Sequence, residues 1–276
     1  MAAIVEVKAV SKRFGAFHAV RDCSLSVEEG SITGLIGPNG AGKSTLFNMM
    51  AGAFAPTTGR IMFDGRDVTG LSAHELFSLG LLRTFQIAHE FSNLSVLENL
   101  MMVPGAQSGE DLFSAWLRPA RVATEEAAIM KKADEVIDFL KLGRVRNEPA
   151  GNLSGGQKKL LELGRTMMVD ARLVLLDEIA AGVNRTLLKD LADNIVRLNR
   201  ELGYTFFVIE HDMDFIAELC NPVIVMASGS VMTEGHIDDI KADERVIEAY
   251  FGGSPTGHAT TVQYQSAARS APGAAS

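Results

Sequence analysis

Gly37-Pro38-Asn39-Gly40-Ala41-Gly42-Lys43-Ser44 stands directly after the apolar run Ile32–Ile36 and directly before the helix-like Thr45-Leu46-Phe47-Asn48-Met49-Met50. The eight residues fit G-x-x-x-x-G-K-[ST], and the flanks are the strand and helix this loop needs. Glycines let the backbone close around phosphates, while successive N–H groups and the helix N-terminus point positive potential inward. Lys43 is placed to reach the β- and γ-phosphates, and Ser44 to ligate Mg2+. Gly37, Pro38, Asn39, Gly40, Ala41, Gly42, Lys43, Ser44 and Thr45 are therefore the candidate nucleotide-binding residues. On its own a glycine-rich turn with an incidental lysine would look the same, and the loop does not distinguish ATP from GTP.

Outward from this loop, Leu173–Leu176, Thr205–Ile209 and Val223–Met226 are short, apolar and β-rich. They read as strands buried on both faces, the pattern of a parallel sheet. Helical segments alternate with them, which gives an α/β layered fold. Ile4–Val10 and Gly59–Phe63 add strands near the start. The run Leu173–Leu176 ends in Asp177 and Glu178, so two carboxylates arrive at the edge where open α/β sheets bind ligands. Asp177 would hold Mg2+ through water, and Glu178 would polarise the attacking water. Without the phosphate loop, two acids after an apolar strand would carry no such meaning.

From about 89 to 164 no strand is convincing, and a mostly helical insertion is expected. Its clearest helix runs near Thr124 to Leu142, with Ile129, Ala133, Val136, Ile137 and Leu140 on one apolar stripe and Gly143 as the stop. After Gly253 large apolar residues are few, so residues 254–276 read as a disordered tail. A formal net charge of -8 disfavours a nucleic-acid partner. Cys23 and Cys220 fit no metal spacing and are too few for a disulfide framework, which leaves small core residues in a reducing compartment. The start shows no signal or transit peptide, and no apolar run reaches the ~20 residues that span a bilayer. A cytoplasmic chain whose membrane link comes through a partner is expected.

Leu153-Ser154-Gly155-Gly156-Gln157 precedes a helix-like run from Lys158 to Met168. Ser154 and Gln157 have capping-box spacing, which is a structural use; the bare glycines also leave the helix N-terminus free to grip an external anion. In order and spacing, Gly37–Ser44, Leu153–Gln157 and Leu173–Glu178 resemble the Walker A, signature and Walker B motifs of ATP-binding-cassette ATPases. Gln86, His211 and Phe14 fit the same family. The resemblance implies that Gln86 senses metal and γ-phosphate, that His211 contacts the γ-phosphate, and that Phe14 stacks on adenine. It implies a P-loop NTPase (RecA-like) core with an N-terminal antiparallel β-subdomain and an inserted α-helical subdomain. The cassette would span 1–253, with core 1–88 and 165–253 and helical part about 89–164.

The family resemblance further implies ATP and Mg2+ as cofactors, and two cassettes clamped head to tail. Each ATP would lie between Gly37–Ser44 of one subunit and Ser154, Gly155, Gly156 and Gln157 of the other. The second cassette would be a sister chain in a heterodimer, or else a second copy of this one. Transmembrane permease subunits would be the direct partners, reached through a groove read at Phe85, Ile87, Phe91 and Leu94. A periplasmic solute-binding protein would be linked indirectly, and the location would be the inner face of the cell membrane.

Arg83-Thr84-Phe85-Gln86, Val208–Met213 and Val246–Gly252 are similar to uptake ATPases for branched-chain amino acids, a group that extends to carriers of amides and urea. Two departures stand out: Ile179 and Arg185 occupy positions where that family commonly has proline, which predicts a looser turn behind Glu178. A lipid-exporter ATPase shares the nucleotide motifs, but Arg83–Gln86 and the segment 104–121 disfavour it. A soluble nucleic-acid-associated cassette protein would bring a second cassette, a coiled coil or zinc ligands.

Overall fold

The computed structural model describes residues 2–84, 90–105, 119–180 and 183–251. In chain order the strands are β1 (Ala3–Phe14), β2 (Phe17–Glu28), β3 (Ile32–Ile36), β4 (Thr58–Phe63), β5 (Arg66–Asp67), β6 (Leu81–Arg83), β7 (Leu173–Asp177), β8 (Thr205–Ile209), β9 (Val223–Ala227) and β10 (Ser230–Gly235). They form an antiparallel four-stranded sheet ordered β2-β1-β4-β5 and a six-stranded sheet ordered β10-β9-β3-β8-β7-β6. In the second sheet every neighbouring pair is parallel except β9 with β10. The described α-helices are α1 (Lys43–Met50), α2 (Ala73–Ser78), α3 (Val96–Met101), α4 (Pro119–Phe139), α5 (Gly155–Met167), α6 (Arg185–Leu202), α7 (Met213–Leu219), α8 (Ile237–Ala242) and α9 (Glu244–Phe251).

Successive strand residues point to opposite faces, and in the larger sheet both faces are dry. Val174, Leu176, Phe206, Val208, Val223 and Val225 face a core shared with α3 to α7. Their neighbours Leu173, Leu175, Phe207, Ile209, Ile224 and Met226 face a second core shared with α1 and the antiparallel sheet. This double burial is why those strands are written as unbroken apolar runs. Cys23 and Cys220 are free thiols in these two cores, and burial pushes the Cys23 pKa up to about 11.

Register brings the chemistry together. Leu173 pairs with Thr205 and Asp177 with Ile209, while Ile32 pairs with Phe206, so β3, β7 and β8 end at one edge. The loop after β3, the acids at the end of β7 and the histidine after β8 follow from that edge.

The sequence patterns miss β2, because its buried Val20, Cys23, Leu25 and Val27 are separated by exposed Arg21, Asp22, Ser24 and Ser26. The helix expected over Thr124 to Leu142 is α4, with Ala133, Val136 and Ile137 buried on its stripe and Leu140 buried just beyond. Gly143 is not its stop: α4 ends at Phe139, Lys141 takes the left-handed backbone (φ 57°), and Gly143 opens a short 3-10 turn. β6 ends at Arg83, and Phe85 lies outside the described residues.

Candidate nucleotide site

The loop after β3 has two glycines that no other residue could replace without moving its walls. A Cβ on Gly37 (φ 150°) would lie 2.1 Å from the Met226 carbonyl oxygen, and one on Gly42 (φ 98°) 2.5 Å from that of Ala19. The loop is thus pressed against β2 and β9 from behind, which leaves its inner face as the open one. Lys43 opens α1 and is 5% exposed. Its ammonium donates to the carbonyls of Gly37 (2.7 Å) and Pro38 (3.1 Å), so it spans the loop it would share with a phosphate. Burial pushes its pKa down, against the pull of Glu178 and Asp177.

A cleft of about 230 Å3 opens here, lined by Asn39 to Thr45 together with Phe17, Ala19, Glu178 and His211. Sequence-distant residues therefore meet as the motif order requires. Glu178 takes a left-handed backbone (φ 50°), and its Oε1 lies 3.1 Å from His211 Nε2. Ile179, which stands in the place of a proline, is buried, and the turn is fastened by other means. The Glu178 N–H donates to the Ile209 carbonyl (3.0 Å), and the Ala180 N–H donates to the Glu210 carboxylate (2.7 Å). The expected loosening is thus met by ties on both sides of position 179.

Asp177 is held by a residue the sequence reading passed over. Arg83, at the end of β6, donates to Asp177 Oδ2 (2.5 Å) and to Asn48 Oδ1 of α1 (2.6 Å), joining the acid to the phosphate-loop helix. Among the described residues no group of three or more His, Cys, Asp and Glu side chains could hold a metal. Ser44 and Asp177 nevertheless suit Mg2+, which binds through few protein oxygens and takes the rest from phosphates and water. Gln86 lies outside the described residues, as do Ala181 and Gly182.

Of the two aromatic residues that flank the β1–β2 turn, Phe17 lines the cleft and is 63% exposed. Phe14 packs edge-on against Phe54 with the Lys12 ammonium over both rings. Phe17 was invisible as a site residue because nothing in its local sequence sets it apart from a strand residue.

Ser154 caps α5 with the reciprocal box expected from its spacing: its N–H donates to Gln157 Oε1 (2.9 Å), and the Gln157 N–H donates to its Oγ (3.4 Å). None of Ser154, Gly155, Gly156 and Gln157 lines the Lys43 cleft. The two glycines have different causes. A Cβ on Gly156 would fall 1.4 Å from Leu187 Cδ2, whereas one on Gly155 would meet nothing within 4 Å. Gly156→Ala should therefore force the Leu187 side chain away from the α5 terminus and lower stability by about 1–3 kcal/mol. Gly155→Ala should leave the thermal midpoint within about 2 °C of wild type, the small change expected of a substitution that meets no neighbour. Equal midpoints for the two variants would refute this division of roles. Phe91 and Leu94 belong to the loop before α3, Phe91 exposed and Leu94 half-buried, while Ile87 lies outside the described residues.

Comparison with known proteins agrees with this fold. The pattern of the family described as ABC transporter matches residues 20–181. A probable branched-chain amino acid transport ATP-binding protein, LivG of Archaeoglobus fulgidus, is 40% identical over 253 residues, 90% of this chain and 95% of its own length. A crystal structure of an ABC transporter's ATP-binding cassette in its ADP conformation superposes with a TM-score of 0.77 at 33% identity, covering 91% of this chain and all of that one. A dimeric cassette in a post-hydrolysis state with ADP and Pi gives 0.67 at 25% identity over 84% of this chain and 98% of its own.

Proposed function

The chain belongs to the ABC transporter family, and from that premise we propose that it is the ATP-hydrolysing subunit of an importer for branched-chain amino acids or similar small polar solutes such as amides and urea. The observation that carries the chemistry is the meeting of Lys43, Glu178 and His211 in one cleft, supplied by three strand ends. The backbone N–H groups of Asn39 to Ser44 cradle the phosphates of ATP, and Lys43 turns its ammonium from the loop carbonyls to the terminal phosphates. Ser44, Asp177 and Gln86 hold Mg2+, which when bound neutralises charge on the phosphate oxygens. Glu178 takes the proton of the attacking water, and His211 keeps Glu178 in place and contacts the γ-phosphate. Phe17, with Phe14 at the outer end of the same turn, offers the base an apolar face.

The cleft lacks the second half of a closed site. The exposed N-terminus of α5, with Ser154 to Gln157, supplies it from a second cassette, a sister chain in a heterodimer or a further copy. The dimeric relative bound to ADP and Pi supports that pairing. No described helix is long and apolar enough to cross a membrane, so transmembrane permease subunits supply the pathway. The chain then works as a peripheral subunit on the inner face of the cell membrane, with Phe91 and Leu94 in the permease-facing groove and a solute-binding protein on the far side. Residues 1–88 and 165–253 make the core, and about 89–164 the helical subdomain.

The test is uptake of labelled leucine, valine, glutamine amide analogues and urea into vesicles that hold this chain with permeases encoded beside it. ATP-dependent accumulation of one of them is expected, together with loss of co-purification when Phe91 and Leu94 are changed to Glu. ATP hydrolysis with no movement of any of these solutes would reject the importer assignment while leaving the ATPase intact.

A further inference from the structure

Glu210 follows the last residue of β8 and is 4% exposed. A carboxylate so far from water carries a large desolvation cost, and burial pushes its pKa above the ordinary carboxylate range. The Lys159 and His211 side chains act on it through longer-range charge. Its oxygens accept two backbone N–H groups from different segments: Ala180 at 2.7 Å on Oε1 and His211 at 3.2 Å on Oε2. Ala180 lies two residues past Glu178, and His211 is the partner of Glu178 across the cleft.

The tie matters because of the conformation it secures. Glu178 holds φ 50°, a region that non-glycine residues keep only when their surroundings impose it. On the upstream side the Glu178 N–H is fixed to the Ile209 carbonyl; on the downstream side the Ala180 N–H is fixed by Glu210. Glu210 stands behind the reacting pair, does not line the cleft, and can be replaced without removing any group that would touch nucleotide.

We propose that Glu210 is a positioning residue for hydrolysis: its buried carboxylate staples the Glu178–Ala180 turn to the His211 segment and so sets the aim of Glu178 at the attacking water. This rests on the assignment of Glu178 as the base. Gln at 210 keeps the shape and one acceptor but turns an NH2 toward the other N–H, whereas Ala removes both acceptors.

Steady-state ATP turnover and binding of a trinitrophenyl-ATP probe are measured on the full-length chain with its transporter partners. Glu210→Gln should lower kcat about tenfold, the scale of one lost bond to a charged acceptor. Glu210→Ala should lower it about 100-fold, the scale of a misplaced reacting group, with KM and probe affinity within about twofold of wild type. Glu178→Gln combined with Glu210→Ala should turn over no more slowly than Glu178→Gln alone, since both act on one step. Wild-type kcat in Glu210→Gln, or losses that multiply in the double variant, would overturn the proposal. If Glu210→Ala fails to fold by circular dichroism, the shape-preserving Gln variant decides. Retained turnover in Glu178→Gln alone would instead remove the base assignment beneath it.

Discussion

Glu178→Gln should lower steady-state ATP turnover about 1,000-fold and leave ATP affinity within about threefold of wild type, because general-base removal costs on the order of 100- to 10,000-fold. Gln has the volume of Glu and keeps an oxygen for the contact with His211 Nε2, so the left-handed turn at position 178 has no reason to change. What disappears is the basic oxygen that, in the proposed role of general base, accepts a proton from water. Phosphate binding, in contrast, is carried by the loop backbone and Lys43, none of which Glu178 touches by hydrogen bond. ATP should therefore bind and persist, and the closed pair of cassettes that it stabilises should accumulate, visible as an ATP-dependent dimer in size-exclusion chromatography. Turnover within about tenfold of wild type would show that another group takes the proton.

The parts of this site that the sequence displays are those in which the backbone conformation itself restricts residue type. Gly37 and Gly42 are legible because only a hydrogen fits against the Met226 and Ala19 carbonyls, and β7 to β9 are legible because burial on both faces excludes polar residues. The resemblance to cassette ATPases singles out His211 for the γ-phosphate; its contact with Glu178 comes from the ends of β7 and β8 lying side by side. Other features depend on registers between distant segments and leave no local trace. Arg83 meets Asp177 across 94 positions, and Glu210 meets Ala180 across 30. Gly156 shows the same limit from the other side: it reads as part of an anion-gripping string, yet the atom that demands a glycine is Leu187 of the next helix. β2 escaped notice because strand pairing with β1 tolerates charged residues on its outer face.

Lys43→Met should weaken ATP binding about 100-fold, measured by equilibrium titration with a fluorescent nucleotide, while the nucleotide-free protein becomes no less stable at neutral pH. The affinity loss follows from charge-assisted bonds to the terminal phosphates, each contributing about 1.5–3 kcal/mol, with about 2.7 kcal/mol equal to a factor of 100. The stability claim follows from the sign of the lysine's shift. Burial depresses its pKa below the ordinary value of 10.5, so at pH values between the two the unfolded chain binds more protons than the folded one. Folding then works against the charge below the folded pKa, and this penalty fades as pH rises toward 10.5. Met keeps the apolar stem and has no charge to bury, so the thermal midpoint of the variant should equal or exceed wild type at pH 7 and lose that advantage in alkaline buffer. Water that enters the space left by the ammonium, beside the cleft that Lys43 itself lines, can take its place on the Gly37 and Pro38 carbonyls. A midpoint that drops at pH 7 together with affinity would mean that Lys43 serves mainly to hold the loop, and a Kd within threefold of wild type would remove it from phosphate binding altogether.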